Sequence, residues 1–395
     1  MFFRRPIPIG QVSLEASTSL ARLTGLEGFA RAILVGILPL NALEIFGRKD
    51  LIALIYFASA IFTLIITINI ATLERLLKRR RLVVLGGLFL PLAAIFFYLK
   101  YAPLFALGLG LVSAGASVFS VCLSLYIMDY IGKAELARNE SRRMLYNGGS
   151  WLIGPPLGVW IFENSHPLVI YGLSAGTAIS MIIYFWRLRW GDDPVIQAAR
   201  SEPKTPLQAI VRYMSQARLR IAYLITLSRS CFWATLFVYG PIYVVEAGLP
   251  TWIGGFLLAG ASGLLFLSAV VRYLTDRFGT RQVIIACALL ISLSMIILGV
   301  LGNAKPIGLF FWITAALGGA GMDVLGNIPF MRSVKPRERT EMTMVFSTWR
   351  EGSSLLTQAL VFLTVLVAPF WVFYFVLSLL LGSAAVGTSF LPRRI

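Results

Sequence analysis

Long apolar runs separated by short polar turns make up most of the chain from residue 20 to residue 390. A helix rises about 1.5 Å per residue, so roughly 20 apolar residues cross the hydrocarbon core of a bilayer. Runs of that length recur at 20–43, 50–72, 82–99, 103–128, 145–162 and 167–187, and again at 219–244, 252–271, 283–302, 306–328, 343–366 and 369–390. Only helices satisfy every backbone group within lipid without closing a barrel, and these runs are too long for barrel strands. The pattern therefore predicts an all-α integral membrane protein of twelve transmembrane helices, in two six-helix bundles, 1–188 and 219–395. Between them lies a polar connector, 189–218, with Asp192, Asp193, Pro194, Pro203 and Pro206 and one amphipathic stretch at 207–214. Its composition is that of a surface linker carrying a short helix.

The two bundles read as copies of one another. A charged turn, Asp276-Arg277-x-Gly279-x-Arg281, separates the second and third spans of the second half. Its worn counterpart, Glu74-Arg75 followed by Lys78-Arg79-Arg80-Arg81, occupies the same place in the first half, 202 residues earlier. Pro39 and Pro241, each late in the first span of its half, share the 202-residue offset. An acidic-basic-Gly hairpin after the second span of each six-span half resembles the Major Facilitator Superfamily of secondary transporters. Arg272 stands where that motif begins with Gly, and Ile70 and Leu77 replace the glycines in the first copy. The resemblance implies two pseudo-symmetric bundles, a cavity lined by spans 1, 4, 7 and 10, and hairpins (Glu74, Arg75, Asp276, Arg277, Gly279, Arg281) that act as conformational switches. It also implies that the mixed-charge loops 129–143 and 332–341 hold one conformation; as plain solvated loops they would read the same.

Composition agrees with a membrane protein. The chain is 58% hydrophobic and 13% charged, with a mean hydropathy of +0.80, against roughly 25% charged residues in ordinary soluble domains. The net charge of +17 would point to nucleic acid in a soluble protein, but membrane proteins collect Lys and Arg on their cytoplasmic loops. Counting by loop parity puts 27 basic residues on the side of both termini and four on the other. Cytoplasmic termini in a cell membrane follow as the expectation, with no nucleic-acid partner. Residues 1–15 lack the apolar core of a cleavable signal. Cys122, Cys231 and Cys287 all lie inside spans, with no disulfide or metal spacing.

Charges inside a span cost roughly 2.5–3.5 kcal/mol on insertion scales and usually face a cavity or a partner. Those here are Glu27 and Arg31 in span 1, Arg229 in span 7, Asp323 in span 10, and Arg350 with Glu351 in span 11; Arg22 sits at the edge of span 1. Glu27 and Arg31 are spaced for a local pair at i,i+4. Glu27 and Arg229 also share the 202-residue offset, which allows an alternative pairing across a cavity. Asp323–Arg350 is a further candidate pair, and Arg350–Glu351 reads as buried charge. Under the family resemblance Arg31, Arg229, Glu27 and Asp323 line the substrate cavity, while Glu27, Asp323 and Glu351 are proton-coupling candidates. In span 5, Gly154-Pro155-x-x-Gly158 resembles the Gly-Pro motif of proton-coupled efflux branches; as plain chemistry it is a close-packing, kinkable stripe. The arginine those branches carry in span 4 is absent, since Leu111 stands four residues before Gly115.

One match to an enzyme signature carries no chemistry. Gly172-x-Ser174-x-Gly176 lies inside an apolar helix rather than at a strand–helix elbow, and the only histidine, His166, is in a loop. No phosphate-binding loop appears. The expectation is a monomeric, cofactor-free, metal-free secondary transporter and not an enzyme, embedded in the lipid bilayer and working by alternating access. It would move a small-molecule substrate at mid-membrane between the halves, an organic anion first because of Arg31 and Arg229, with protons as the coupling ion. The alternatives are proton-driven export of amphipathic or lipid-like compounds and a non-transporting receptor or scaffold on the same fold.

Overall fold

A computed structural model describes residues 9–130, 136–188, 206–334 and 339–392. Among these residues the regular structure is entirely helical. The first half runs α1 (Ile9–Val35), α2 (Leu38–Phe46), α3 (Lys49–Leu77), α4 (Arg79–Tyr98), α5 (Ala102–Tyr130), α6 (Leu136–Asn164) and α7 (Pro167–Arg187). The short α8 (Pro206–Ser215) follows, where the amphipathic connector stretch is expected. The second half runs α9 (Ala217–Glu246), α10 (Trp252–Gly263), α11 (Ser268–Phe278), α12 (Thr280–Leu301), α13 (Gly308–Leu325), α14 (Ile328–Ser333), α15 (Arg339–Ser347), α16 (Trp349–Val367) and α17 (Val372–Ser389). Residues 189–205 of the connector, 131–135 of the loop 129–143 and 335–338 of the loop 332–341 lie outside the described residues.

Nine helices among the described residues are long and apolar enough to cross a membrane, and ten if the bent pair Trp252–Leu267 and Val270–Phe278 is one span. The expected fifth and eleventh spans are the helices α6 and α16, which fall short on apolar character. Polar residues crowd the first half of α6, and Arg350, Glu351 and Gln358 interrupt α16. Several spans are broken where the sequence requires it. Pro39 and Pro329 sit in the first turns of α2 and α14, where a missing N–H costs nothing, and the preceding helix stops just before them. A 3₁₀ turn at Leu264–Leu267 joins α10 to α11 with a bend of 51°. Pro241, the repeat partner of Pro39, behaves differently: it stays buried inside an unbroken α9.

The chain divides into two compact units, 1–34 with 62–200 and 35–61 with 201–395. The segment 35–61 groups with the later part of the chain, and within that unit Lys49 pairs with Glu246 at 2.6 Å and lies over the Phe370 ring at 4.2 Å.

Lipid tails are as apolar as leucine, so helices in a membrane associate chiefly through close packing of small residues. In the first unit a Cβ on Gly115 would stand 2.7 Å from the Gly86 carbonyl oxygen, so α4 and α5 meet backbone to backbone. Gly87 receives Ile182 of α7. Around these contacts Leu20, Leu82, Phe119, Tyr126, Met181 and Phe185 form a buried core. In the second unit Gly318 and Gly321 of α13 fit against Cys287 of α12, and Ser292 of α12 bonds the Ser378 carbonyl of α17 at 3.0 Å. The connector helix α8 is tied down by Tyr213, which is buried against Phe330 and donates to the Leu219 carbonyl at 3.0 Å. Burial pushes the Tyr213 hydroxyl well above its ordinary titration range, so it stays a hydrogen-bond donor.

Candidate functional site

Two Arg–carboxylate pairs lie inside candidate membrane spans, one in each unit. In the first, Arg31 reaches back one turn along α1 to Glu27, with Nε 2.5 Å from Oε1 and Nη2 3.2 Å from Oε2. The carboxylate side is buried at 6% exposure, while the Arg31 side chain is 28% exposed and lies 5.7 Å from the Trp151 ring. In the second, Arg229 of α9 meets Asp323 of α13 at 3.1 Å. Here the cation is the buried member, at 5% exposure, and the Asp323 side chain is 26% exposed. Arg229 also donates to the Met322 carbonyl at 3.3 Å and lies 5.1 Å from the Trp349 ring.

The second pair forms because α13 presents a small-residue face to α9. A Cβ on Gly319 would stand 3.0 Å from Phe232, and one on Gly326 would stand 3.1 Å from the Arg229 guanidinium. The expected Asp323–Arg350 pair is thereby replaced by Asp323–Arg229. Of the two pairings open to Glu27, the structure shows the local one with Arg31. Arg350 is exposed rather than buried, with its guanidinium 5.5 Å from the Trp349 ring, and Glu351 is half-buried in the first turn of α16. The break at Thr348 puts both charges at a helix start, where an acid is favoured by the exposed N–H groups.

The span-5 motif is a seam between helices. A Cβ on Gly154 would stand 2.6 Å from that of Ala32, and one on Gly158 would collide with the Ile33 carbonyl oxygen. Ser150 extends the seam by donating to the Gly25 carbonyl at 2.8 Å. Close approach of α6 at this point is what brings Trp151 over Arg31.

The two hairpins have the same backbone and different side-chain contacts. Gly279 sits at φ 87°, ψ 148° between α11 and α12, and Lys78 takes φ 63°, ψ 146° between α3 and α4. Glu74 pairs with Arg79 at 2.7 Å, and the buried Arg79 guanidinium lies 5.3 Å from the Tyr126 ring. Its repeat partner Arg281 instead donates to the Leu391 carbonyl at 2.9 Å. Asp276 and Arg277 are exposed. The side chain of Arg75 lies outside the described residues.

Sequence reasoning overlooked Trp151, Trp349, the Lys49–Glu246 pair and the buried hydrogen bond from Tyr239 to Gln358 at 2.9 Å. Gln358 was visible as a lone amide in an apolar run, but a search confined to formal charge passes over it. Among the described residues no group of acidic, His and Cys side chains is arranged to hold a metal.

A bundle of membrane-length helices with intramembrane ion pairs and repeated basic hairpins has the organisation of a membrane transporter. The family model of the Major Facilitator Superfamily matches residues 20–357, and the chain belongs to that family. No curated protein matches the sequence. Among solved structures it is similar to a nucleoside transporter, NupG, at 12% identity and TM-score 0.71, covering 95% of this chain and 100% of that one. It is also similar to the peptide transporter POT in complex with sulfate, at 13% identity and TM-score 0.74, covering 97% of each chain. A bacterial homologue of the iron transporter ferroportin in an inward-facing state matches at 17% identity and TM-score 0.70, covering 95% of this chain and 98% of that one. At these identities the likeness is one of fold.

Proposed function

We propose that this protein is a secondary transporter that works by alternating access and carries a small organic anion coupled to protons, in a cell membrane and with both termini cytoplasmic. The observation that supports this reading best is the asymmetry of the Glu27–Arg31 pair, in which the accessible member is the cation. A carboxylate or phosphate solute approaching Arg31 meets a planar guanidinium fork backed by the Trp151 face. The buried Glu27 competes for the same guanidinium. Protonating Glu27 releases Arg31 to the solute, so proton and anion bind better together than apart, which is a coupling between two ligands.

Proteoliposomes holding the purified protein test this. Counterflow of an organic anion with proton uptake is expected, reduced at least about tenfold by Arg31→Gln, the loss of one charge-assisted contact. Glu27→Gln should leave anion exchange intact and abolish its acceleration by a pH gradient. Anion transport that is unchanged in Arg31→Gln would overturn the assignment.

A second reading, export of amphipathic cations by proton exchange, is favoured by Asp323. Its carboxylate is the accessible member of the other pair and interacts with Trp233. A thermal-shift screen of organic anions against hydrophobic cations separates the two readings, since a bound ligand stabilises the folded state. Absence of counterflow with every solute would favour a receptor or scaffold.

A further inference from the structure

A cavity of about 380 Å³ lies in the first unit, and neither Glu27 nor Arg31 lines it. Arg22, Leu26 and Phe29 of α1, Tyr146 and Ser150 of α6, and Tyr184 of α7 line it. Its walls are apolar apart from one cation and three hydroxyls. Arg22 is exposed and shares the cavity lining with Tyr184 and Tyr146. Tyr184 also donates to the Ser19 hydroxyl at 3.3 Å.

Arg22 differs from Arg31 and Arg229 in its company. Arg31 and Arg229 each face a carboxylate, whereas among the described residues none pairs with Arg22. It sits at the edge of the first apolar run, 20–43, at the depth of the interface rather than of the hydrocarbon centre. The neighbouring helix ends are basic: Arg142 donates to the Thr18 hydroxyl at 3.0 Å, and Arg80 lies 3.8 Å from the Trp186 ring. Leu145 and Ile183, next in sequence to the lining residues Tyr146 and Tyr184, and Trp186 are exposed apolar residues of α6 and α7.

We propose that this cavity binds the headgroup of an anionic phospholipid. The phosphate sits against Arg22 and the two tyrosine hydroxyls, and the first acyl carbons lie on Leu26 and Phe29. Guanidinium recognises phosphate through paired, charge-assisted donors. Tyrosines with an apolar ring and a polar tip belong at headgroup level, and basic pockets between membrane helices suit anionic headgroups. A water-soluble anion would have no use for the apolar walls that continue below the cation.

The purified full chain in phosphatidylcholine nanodiscs doped with phosphatidylglycerol provides the test, with retained lipid read by native mass spectrometry and stability by thermal unfolding. Phosphatidylglycerol should be retained in preference to phosphatidylcholine and should raise the unfolding midpoint. Arg22→Gln should lose that preference about tenfold, the scale of one charge-assisted contact. Arg22→Lys should keep most of it, and Leu26→Trp, which fills the cavity and leaves the charge, should lose it. Arg272→Gln, a change of an exposed cation elsewhere, should have no effect. Equal loss in Arg272→Gln would mean diffuse surface attraction and would overturn the proposal. So would full retention in Arg22→Gln, or equal stabilisation by soluble glycerol phosphate.

Discussion

Lys78 adopts a backbone conformation that its repeat position in the second half gives to glycine. Both residues close the preceding helix in the same way, Lys78 N–H to the Glu74 carbonyl at 3.0 Å and Gly279 N–H to the Thr275 carbonyl at 2.8 Å. Both then accept from the next helix, from Leu82 at 3.1 Å and Val283 at 3.3 Å. A side chain at φ 63°, ψ 146° costs on the order of 1–3 kcal/mol, and glycine loses roughly 0.5–1 kcal/mol in chain entropy. Strain is the larger effect, so Lys78→Gly should stabilise the protein by about 1 kcal/mol. Gly279→Ala should destabilise it by a similar amount, both read from denaturant unfolding in detergent. The ion pairs give a second prediction at this scale, because each has one buried and one accessible member. Asp323→Asn leaves the buried Arg229 uncompensated, while Arg229→Gln leaves the more accessible carboxylate. The first should therefore be the more destabilising, approaching 3–5 kcal/mol if Arg229 stays dry, and the double mutant should recover part of the loss. Equal effects of the two single changes would mean that burial does not set the cost.

At the scale of elements, glycine stripes decide which helices touch. Gly158 meets the Ile33 backbone with no space for a Cβ, whereas a Cβ on Gly149, on the same helix, would meet nothing within 4 Å. Gly158→Ala should cost several kcal/mol, since neither backbone can yield as a flexible side chain can, in the range of severe overpacking. Gly149→Ala should be neutral or slightly stabilising through helix propensity. Unfolding of the two variants checks both. The same observation shows where sequence reading succeeds and where it stops. Length and apolar character mark out the spans, and Pro39 and Pro329 mark two of the breaks. The seam between Gly154, Gly158 and α1 is readable as small residues, but its partner is not. A span apolar on every side carries no stripe that says which face meets which neighbour, so nothing in the sequence turned Asp323 toward Arg229 rather than Arg350. Packing of Gly319 and Gly326 against α9 makes that choice. Formal charge likewise gives no sign that Lys49 would meet Glu246, 197 residues later.

At the scale of the whole molecule, the duplicated hairpins have diverged in what their charges do. In the first, Glu74 is occupied by Arg79, which is buried and packed on Tyr126. In the second, Arg281 has turned to the Leu391 carbonyl near the end of α17, and the acid and the arginine of the motif are exposed. The first hairpin therefore reads as a fixed structural joint and the second as one whose charges are free to exchange partners as a transporter cycles. Neutralising the acid should then have opposite consequences in the two places. Glu74→Gln leaves a buried guanidinium without its carboxylate and should lower stability by several kcal/mol, less where water reaches the 26% exposed acid. Asp276→Asn removes an exposed charge that forms no ion pair among the described residues, so stability should change by less than about 0.5 kcal/mol. Its effect should appear in kinetics. If the hairpin acts as the proposed conformational switch, transport should slow several-fold while equilibrium binding of substrate stays the same, because an exposed charge at a helix end would then bias a conformational equilibrium rather than a contact with solute. Binding measured by thermal shift beside transport measured by counterflow separates the two quantities. A large loss of affinity in Asp276→Asn with normal turnover would place the second hairpin in the binding machinery instead, and a loss of stability equal to that of Glu74→Gln would show that the two hairpins remain equivalent.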